Sequence, residues 1–294
     1  MSNFKTSDNY WLKEHKKPLF RWTVGPCIKQ GFDILRESVS QALRVYGDRF
    51  KFVICHNNLN DDQKEVLKSI ASLNVELYEQ SWEHCSLPID NQCLKKVDGN
   101  FPITTVNCNG SVWKYCPDRL RPHSHELIVD NDLIIVSPIK QIEDFLNSTN
   151  KSLLLQDRFR YYGRYDKMVS HSKFLNTGMI GLPPDYNLKN TMLEFWNRKK
   201  HNDITQADEQ GLVASALAYD FGPSLIVVNE ILEVLARDPS LNFCTSYSGN
   251  SRGDEIGYIN KNVDECNGFH FCQANKIDNH IGWSWYMNKK RLFC

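Results

Sequence analysis

Short apolar runs alternate along this chain with longer stretches in which apolar residues recur every three or four positions. Leu19 to Gly25 predicts a first strand, and from Gly31 to Tyr46 the residues Phe32, Leu35, Val39 and Leu43 fall at helical spacing. Phe50 to Cys55 predicts a second strand. Asp61 to Leu73, with its Asp-rich start and Val66 and Ile70 in register, predicts a second helix, and Val75 to Tyr78 a third strand. A βαβαβ beginning implies a largely parallel sheet covered on both faces, which binds ligands at the carboxyl ends of its strands. Thr23 and Val24, at that end of the first strand, are therefore candidate ligand contacts.

Residues 83 to 112 are weakly periodic and predict a loop-rich excursion. The segment from Trp113 to Pro122 then gathers aromatic and basic side chains, among them Lys114, Arg119 and Arg121, which suit either an anionic pocket or a solvated basic helix face. Farther on, Ile139 to Leu146 predicts a short helix, Phe174 to Pro183 a glycine-bearing strand, and residues 190 to 199 and 208 to 219 two helices, the second opened by acidic residues. Arg158, Arg160, Tyr161, Tyr162 and Tyr165 cluster between 151 and 166, as sugar-stacking surfaces and half-buried strand edges both do. The aromatic tail Trp283-Ser284-Trp285-Tyr286 is a second such cluster, which a ligand-stacking surface and buried packing explain equally well.

The run Leu127-Ile128-Val129-Asp130-Asn131-Asp132-Leu133-Ile134-Ile135-Val136 carries the most specific chemistry. On an extended segment residues two apart share a face, so Asp130 and Asp132 would reach one cation together while Asn131 points away. Hard oxygen donors suit Mg²⁺ or Mn²⁺, which complete their shell with substrate phosphates and so imply a nucleotide diphosphate ligand. Asp, Asn and Asp are equally good residues for a turn between two short strands, and the sequence leaves both readings open.

Composition narrows the classes. Among 294 residues, Lys plus Arg and Asp plus Glu number 35 each, which removes any overall pull toward nucleic acid or an anionic membrane. Residues 1 to 18 are a polar leader without the apolar core of a signal peptide, and no later run is long enough to span a bilayer, so a cytoplasmic location, with peripheral membrane contact at most, is expected. Ten scattered cysteines without a Cys-x-x-Cys pair predict reduced thiols.

Four blocks taken in order resemble the metal-dependent glycosyltransferases of the GT-A fold, most closely the glycogenin-like and bacterial galactosyltransferase-like retaining group. Asp130-Asn131-Asp132 is similar to the family's Asp-x-Asp, Phe174 to Gly181 to its Asn-small-Gly strand, Ala207-Asp208-Glu209-Gln210 to its acidic-Gln helix start, and His270 to Lys276 to its late His-x-x-Gly-x-x-Lys segment, with Gln273 in place of the glycine. The resemblance implies a single α/β domain of Rossmann-like GT-A type over residues 19–294. Its central sheet would be mixed but mostly parallel and flanked by helices, with a nucleotide-binding half at 19–132 and an acceptor and donor-sugar half at 133–294.

It also implies site residues and partners. Asp130, Asp132 and His270 would ligate Mn²⁺ or Mg²⁺, the imidazole favouring Mn²⁺. Asp130, Asn131, Asn176, Gly178, Lys276, Arg121, Lys114, Thr23 and Val24 would line a site for a nucleotide-sugar donor, a UDP-sugar first. Asp208, Glu209 and Gln210 would act at the reacting sugar, and a glycan, protein or small-molecule hydroxyl would accept it, with retention. The competing classes are a nucleotidyltransferase, for which Gly25-Pro26-Cys27-Ile28-Lys29-Gln30-Gly31 is a poor phosphate loop, and a silent carbohydrate-binding scaffold on the same fold.

Overall fold

The computed structural model describes residues 17–56, 59–72, 74–79, 119–157, 160–198, 206–235, 246–247, 258–259, 266–272 and 281–293. A seven-stranded sheet runs in the order β3-β2-β1-β4-β7-β6-β8. Its members are β1 Leu19–Val24, β2 Lys51–His56, β3 Glu76–Glu79, β4 Glu126–Asp130, β6 Ser152–Gln156, β7 Leu175–Leu182 and β8 Leu225–Val228. Strands β1 to β4 are parallel and β6 pairs parallel with β8, while β7 runs antiparallel between β4 and β6. With helices on its faces, this is the expected α/β architecture around a mixed, mostly parallel sheet.

The elements form where their apolar spacing requires. Helix α1, Lys29–Tyr46, buries Phe32, Leu35 and Val39 against the sheet, and α2, Asp61–Ala71, buries Leu67 and Ile70. A capping box opens α2: the Gln63 backbone N donates to Asn60 Oδ1 at 2.9 Å and the Asn60 N to Gln63 Oε1 at 3.3 Å. Rings from two strands make the aromatic centre of this core, with Phe20 and Trp22 centroids 4.6 Å apart and Trp22 stacked on Phe52 at 5.9 Å. The opposite face is covered by α4, Leu188–Arg198, and α5, Gln206–Phe221, through Met192, Phe195, Leu212, Val213 and Leu217. From Leu212 to Ala218 α5 is buried all round, which is why its apolar pattern is not one-sided.

A three-stranded sheet, β5-β12-β9, is built from β5 Leu133–Ile135, β9 Ile231–Leu235 and β12 Gly268–Cys272. Helix α3 spans Lys140–Leu146, and β10 Ser246–Tyr247 pairs antiparallel with β11 Tyr258–Ile259. Helix α6, Ile281–Phe293, packs Trp283 and Tyr286 onto Phe269 and Phe271, and the Tyr286 hydroxyl donates to Glu37 Oε1 at 2.9 Å. Of the two readings of the aromatic tail, buried packing is the one that holds for its two described rings, Trp283 and Tyr286. No helix among the described residues is long and apolar enough to cross a membrane. Cys27, Cys55 and Cys266 are free thiols.

His56 closes β2, is 1% exposed, and has no hydrogen-bond partner for either ring nitrogen among the described residues. Burial lowers its pKa to about 4, against a smaller upward pull from Glu79 and with a further downward push from Lys64. Between that value and the ordinary 6.5 the unfolded chain binds a proton that the folded one refuses, so stability falls as pH drops through this window. Going from pH 7.5 to pH 5 is expected to remove about 2 kcal/mol through this group. His56→Leu should flatten that part of the pH dependence, as read from urea midpoints.

Candidate metal and donor site

Strand β4 ends at Asp130, the chain turns at Asn131 and Asp132, and β5 begins at Leu133. Asp-Asn-Asp is thus a turn between two short strands, which corrects the extended-segment argument for a shared face, and yet the carboxylates do converge. What brings them together is the change of sheet: β4 lies in the main sheet and β5 in the small one, so the turn lies between two pairing partners. Asn131 and Asp132 are buried in this turn, and Asp130 is partly exposed.

Strand β12 supplies the third side chain. Its register sets His270 opposite Leu133, and the Phe271 backbone N donates to the Asp132 carbonyl at 2.8 Å. His270 Nε2 consequently stands 3.4 Å from Asp132 Oδ1 and 3.9 Å from Asp130 Oδ2. One ligand atom from each of the three residues lies within 4.8 Å of the others. Donors about 2.0–2.2 Å from one ion stand up to about 4.4 Å apart, and both His270 distances fall inside that reach, which makes the two carboxylates and the imidazole a candidate site for a single divalent cation. From the far side, the Trp22 indole donates to Ser38 Oγ at 2.9 Å and Ser38 donates to the Leu133 carbonyl, which fastens β5 to α1. Cys27 lies near enough for the Asp132 charge to act on it. Burial first, and that charge second, push its thiol up to about 12, leaving a neutral neighbour to the carboxylates.

Gly178 on β7 is glycine for space. A Cβ there would lie 2.8 Å from His270 Cε1 and 2.9 Å from Asn176 Oδ1. Gly178→Ala is therefore expected to push the imidazole off its position and weaken Mn²⁺ binding by about 10–100-fold. Calorimetric titration with Mn²⁺ checks this, and an unchanged affinity would detach His270 from the site.

Two residues before Gly178, the Asn176 side chain accepts from the Gly178 backbone N at 2.6 Å and donates to Asp157 Oδ2 at 3.3 Å. The same Asp157 oxygen accepts from Gln210 Nε2 at 2.7 Å, and Gln210 also donates to the Tyr161 carbonyl at 3.1 Å. Three separated sequence blocks, those that hold His270, Gly178 and Gln210, are joined in this way. Asp157 was not among the expected residues, although an acid one residue past the apolar Leu153-Leu154-Leu155, after Gln156, carries a signal similar to that of Asp130.

Other expected contacts are placed differently. The buried Thr23 hydroxyl is without a hydrogen-bond partner among the described residues, in register with Asp130, whereas the Val24 side chain belongs to the core. Arg121 is a correction: it lies before β4, at the end away from Asp130, where its guanidinium donates to the Lys17 carbonyl and its backbone N to Glu126 Oε1 at 2.8 Å. Glu209 is half-buried on α5. Lys114 and Lys276 lie outside the described residues, as does the side chain of Asp208. In the basic and aromatic cluster Tyr162 and Tyr165 are buried, Arg160 pairs with Asp166 at 2.7 Å, and Tyr161 is exposed.

No protein-family model matches the sequence, and no curated protein matches it. Solved structures do match its fold. The galactosyltransferase LgtC, in complex with donor and acceptor sugar analogues, superposes with a TM-score of 0.55 at 10% identity, over 93% of this chain and 94% of that one. Mouse xyloside xylosyltransferase 1, in its apo form, gives 0.50 at 10% identity over 89% of this chain and 99% of its own. The chain has the GT-A glycosyltransferase fold. In this GT-A fold the acidic turn follows the carboxyl end of β4, where open α/β sheets take their ligands.

Proposed function

We propose that this chain is a metal-dependent glycosyltransferase that moves a sugar from a nucleotide-sugar donor, a UDP-sugar first, to a hydroxyl acceptor with retention. The observation that carries the reading is the meeting of Asp130, Asp132 and His270 in one cluster at the end of a central strand of a GT-A fold. Asp130 and Asp132 would hold Mn²⁺ or Mg²⁺ with His270, and the bound ion supplies Lewis-acid neutralisation of a leaving diphosphate. Thr23, in register with Asp130 and with no partner for its hydroxyl among the described residues, suits a nucleoside contact. Asn176 and Gln210 would hold donor-sugar hydroxyls, and Asp208 and Glu209 belong to the same helix start as Gln210.

In such a transfer the bond from the anomeric carbon to the phosphate oxygen breaks through a cationic sugar, and a bond to the acceptor oxygen forms. With retention the acceptor approaches from the leaving-group side and its proton passes to the departing phosphate oxygen, so no strong protein base is required. Exposed Tyr161, whose carbonyl holds Gln210, suits an acceptor platform. The nucleotidyltransferase reading gains nothing here: Lys29, the first residue of α1 after β1, pairs along the helix with Asp33 at 2.6 Å.

A panel of nucleotide sugars, assayed for nucleoside diphosphate release with Mn²⁺ and with chelator, tests the proposal. Metal-dependent release from one donor supports it and names the sugar. Donor binding without release across the panel would replace it with the scaffold reading.

A further inference from the structure

Asp157 has no task in the reading above, yet it is 8% exposed and holds two of the amides that reading uses. It follows β6 directly, and its backbone N donates to the Phe174 carbonyl at 2.8 Å, so the pairing of β6 with β7 fixes its place. An ionised carboxylate and a backbone carbonyl can only accept hydrogen bonds. Gln210 faces one of each, at 2.7 Å on Asp157 and 3.1 Å on Tyr161, so both must be served by its NH₂ group. Its carbonyl oxygen Oε1 is thereby left as the end of the amide that no described residue donates to. Asn176 makes one bond at each end, its NH₂ to Asp157 and its oxygen to the Gly178 backbone N, which fixes its orientation and leaves a second N–H and a second lone pair.

We infer that Asp157 is a positioning residue: its carboxylate sets the amide orientation of Gln210 and Asn176, so that Gln210 presents a hydrogen-bond acceptor, not a donor, to the bound sugar. The inference rests on the proposed transferase reading for its consequence in turnover, but its geometric content stands without it. A neutral amide at position 157 offers one acceptor oxygen and one donor NH₂, which no longer forces Gln210 to turn its own NH₂ inward.

The test uses the full-length protein and the variant Asp157→Asn. Side-chain amide resonances are followed by ¹⁵N-edited NMR in the absence of substrate. In the wild type the Gln210 and Asn176 NH₂ protons should exchange slowly with solvent, and in the variant at least about tenfold faster, with the backbone amides of β4 and β12 unchanged. Unaltered protection would overturn the assignment whether or not a donor has been found. With an active donor, kcat should fall more than about tenfold at an unchanged Mn²⁺ affinity. In a Gln210→Ala background the same change should then cost much less, because the two act through one contact. Full additivity, or a loss that appears only in donor KM, would reduce Asp157 to a packing residue. Asp157→Ser carries the same measurements if the first variant does not fold. A wild type that turns over no donor, while the NMR result holds, would remove the transferase reading and leave the positioning claim in place.

Discussion

Asp132→Asn is expected to cut metal-dependent transfer by on the order of a thousand-fold while leaving the metal-free protein as stable as before, or slightly more so. The two effects have one origin. Asp130 and Asp132 are held within ligand distance of each other and of His270, with the Asp132 side chain only 9% exposed. Without a cation, two carboxylates at that range repel, and neutralising one removes the repulsion. With a cation, the lost oxygen ligand takes with it several kcal/mol of leaving-group stabilisation, and each 1.4 kcal/mol is about a factor of ten in rate. Thermal unfolding with and without Mn²⁺ separates the two. An ion at 100 times its Kd stabilises the fold by about 2.7 kcal/mol, and this increment should vanish in the variant. A variant that keeps both the Mn²⁺-dependent stabilisation and the turnover would show that the acidic turn is not where the ion binds.

Much of this was legible in the chain, and for a physical reason. The first half is a succession of apolar runs and helical spacings that admits few arrangements besides βαβαβ, and β1, α1, β2, α2 and β3 fall within a few residues of the predicted spans. The acidic turn was legible because charge inside an apolar run is costly without a purpose. Its geometry was not. Strand periodicity placed the carboxylates on one face, whereas they converge because the chain leaves one sheet for another, and nothing local to residues 127–136 encodes that step. Asp157 was equally hidden. Its meaning depends on β7 running antiparallel beside β6, which sets Asn176 opposite Leu155, and on α5 carrying Gln210 to the same oxygen. Arg121 misled because a basic and aromatic composition describes a phosphate pocket and a buried ion cluster equally well, and only its neighbour Glu126 decides between them.

That cluster yields the largest expected loss of stability, from Glu126→Gln. Glu126 begins β4, is 0% exposed, and accepts the Arg121 backbone N at 2.8 Å. Its other oxygen makes ionic contacts with Arg119 Nε at 3.0 Å and with Arg21 Nη1 at 4.0 Å, Arg21 being fully buried as well. Arg119 spends its remaining donors on the carbonyls of Pro183, Tyr186, Arg121 and Ser124, tying the approach to β4 to the end of β7, and burial already pulls its guanidinium below the usual arginine range. Glutamine fills the same space and keeps an acceptor, but removes the negative charge from between these cations. Breaking a buried ion cluster from one side costs about 3–5 kcal/mol, since the charges left behind stay desolvated. Urea midpoints should show that loss, and Arg21→Met in the same protein should restore part of it by withdrawing one cation, so that the pair is non-additive. Turnover of the folded fraction should be untouched. Leu19 pairs with Glu126 and Thr23 with Asp130, so four residue steps, about 13 Å of strand, separate the ion cluster from the acidic turn. A drop in kcat matching that of Asp132→Asn would mean that the two ends of β4 are coupled, and that the separation of scaffold from site along this strand does not hold.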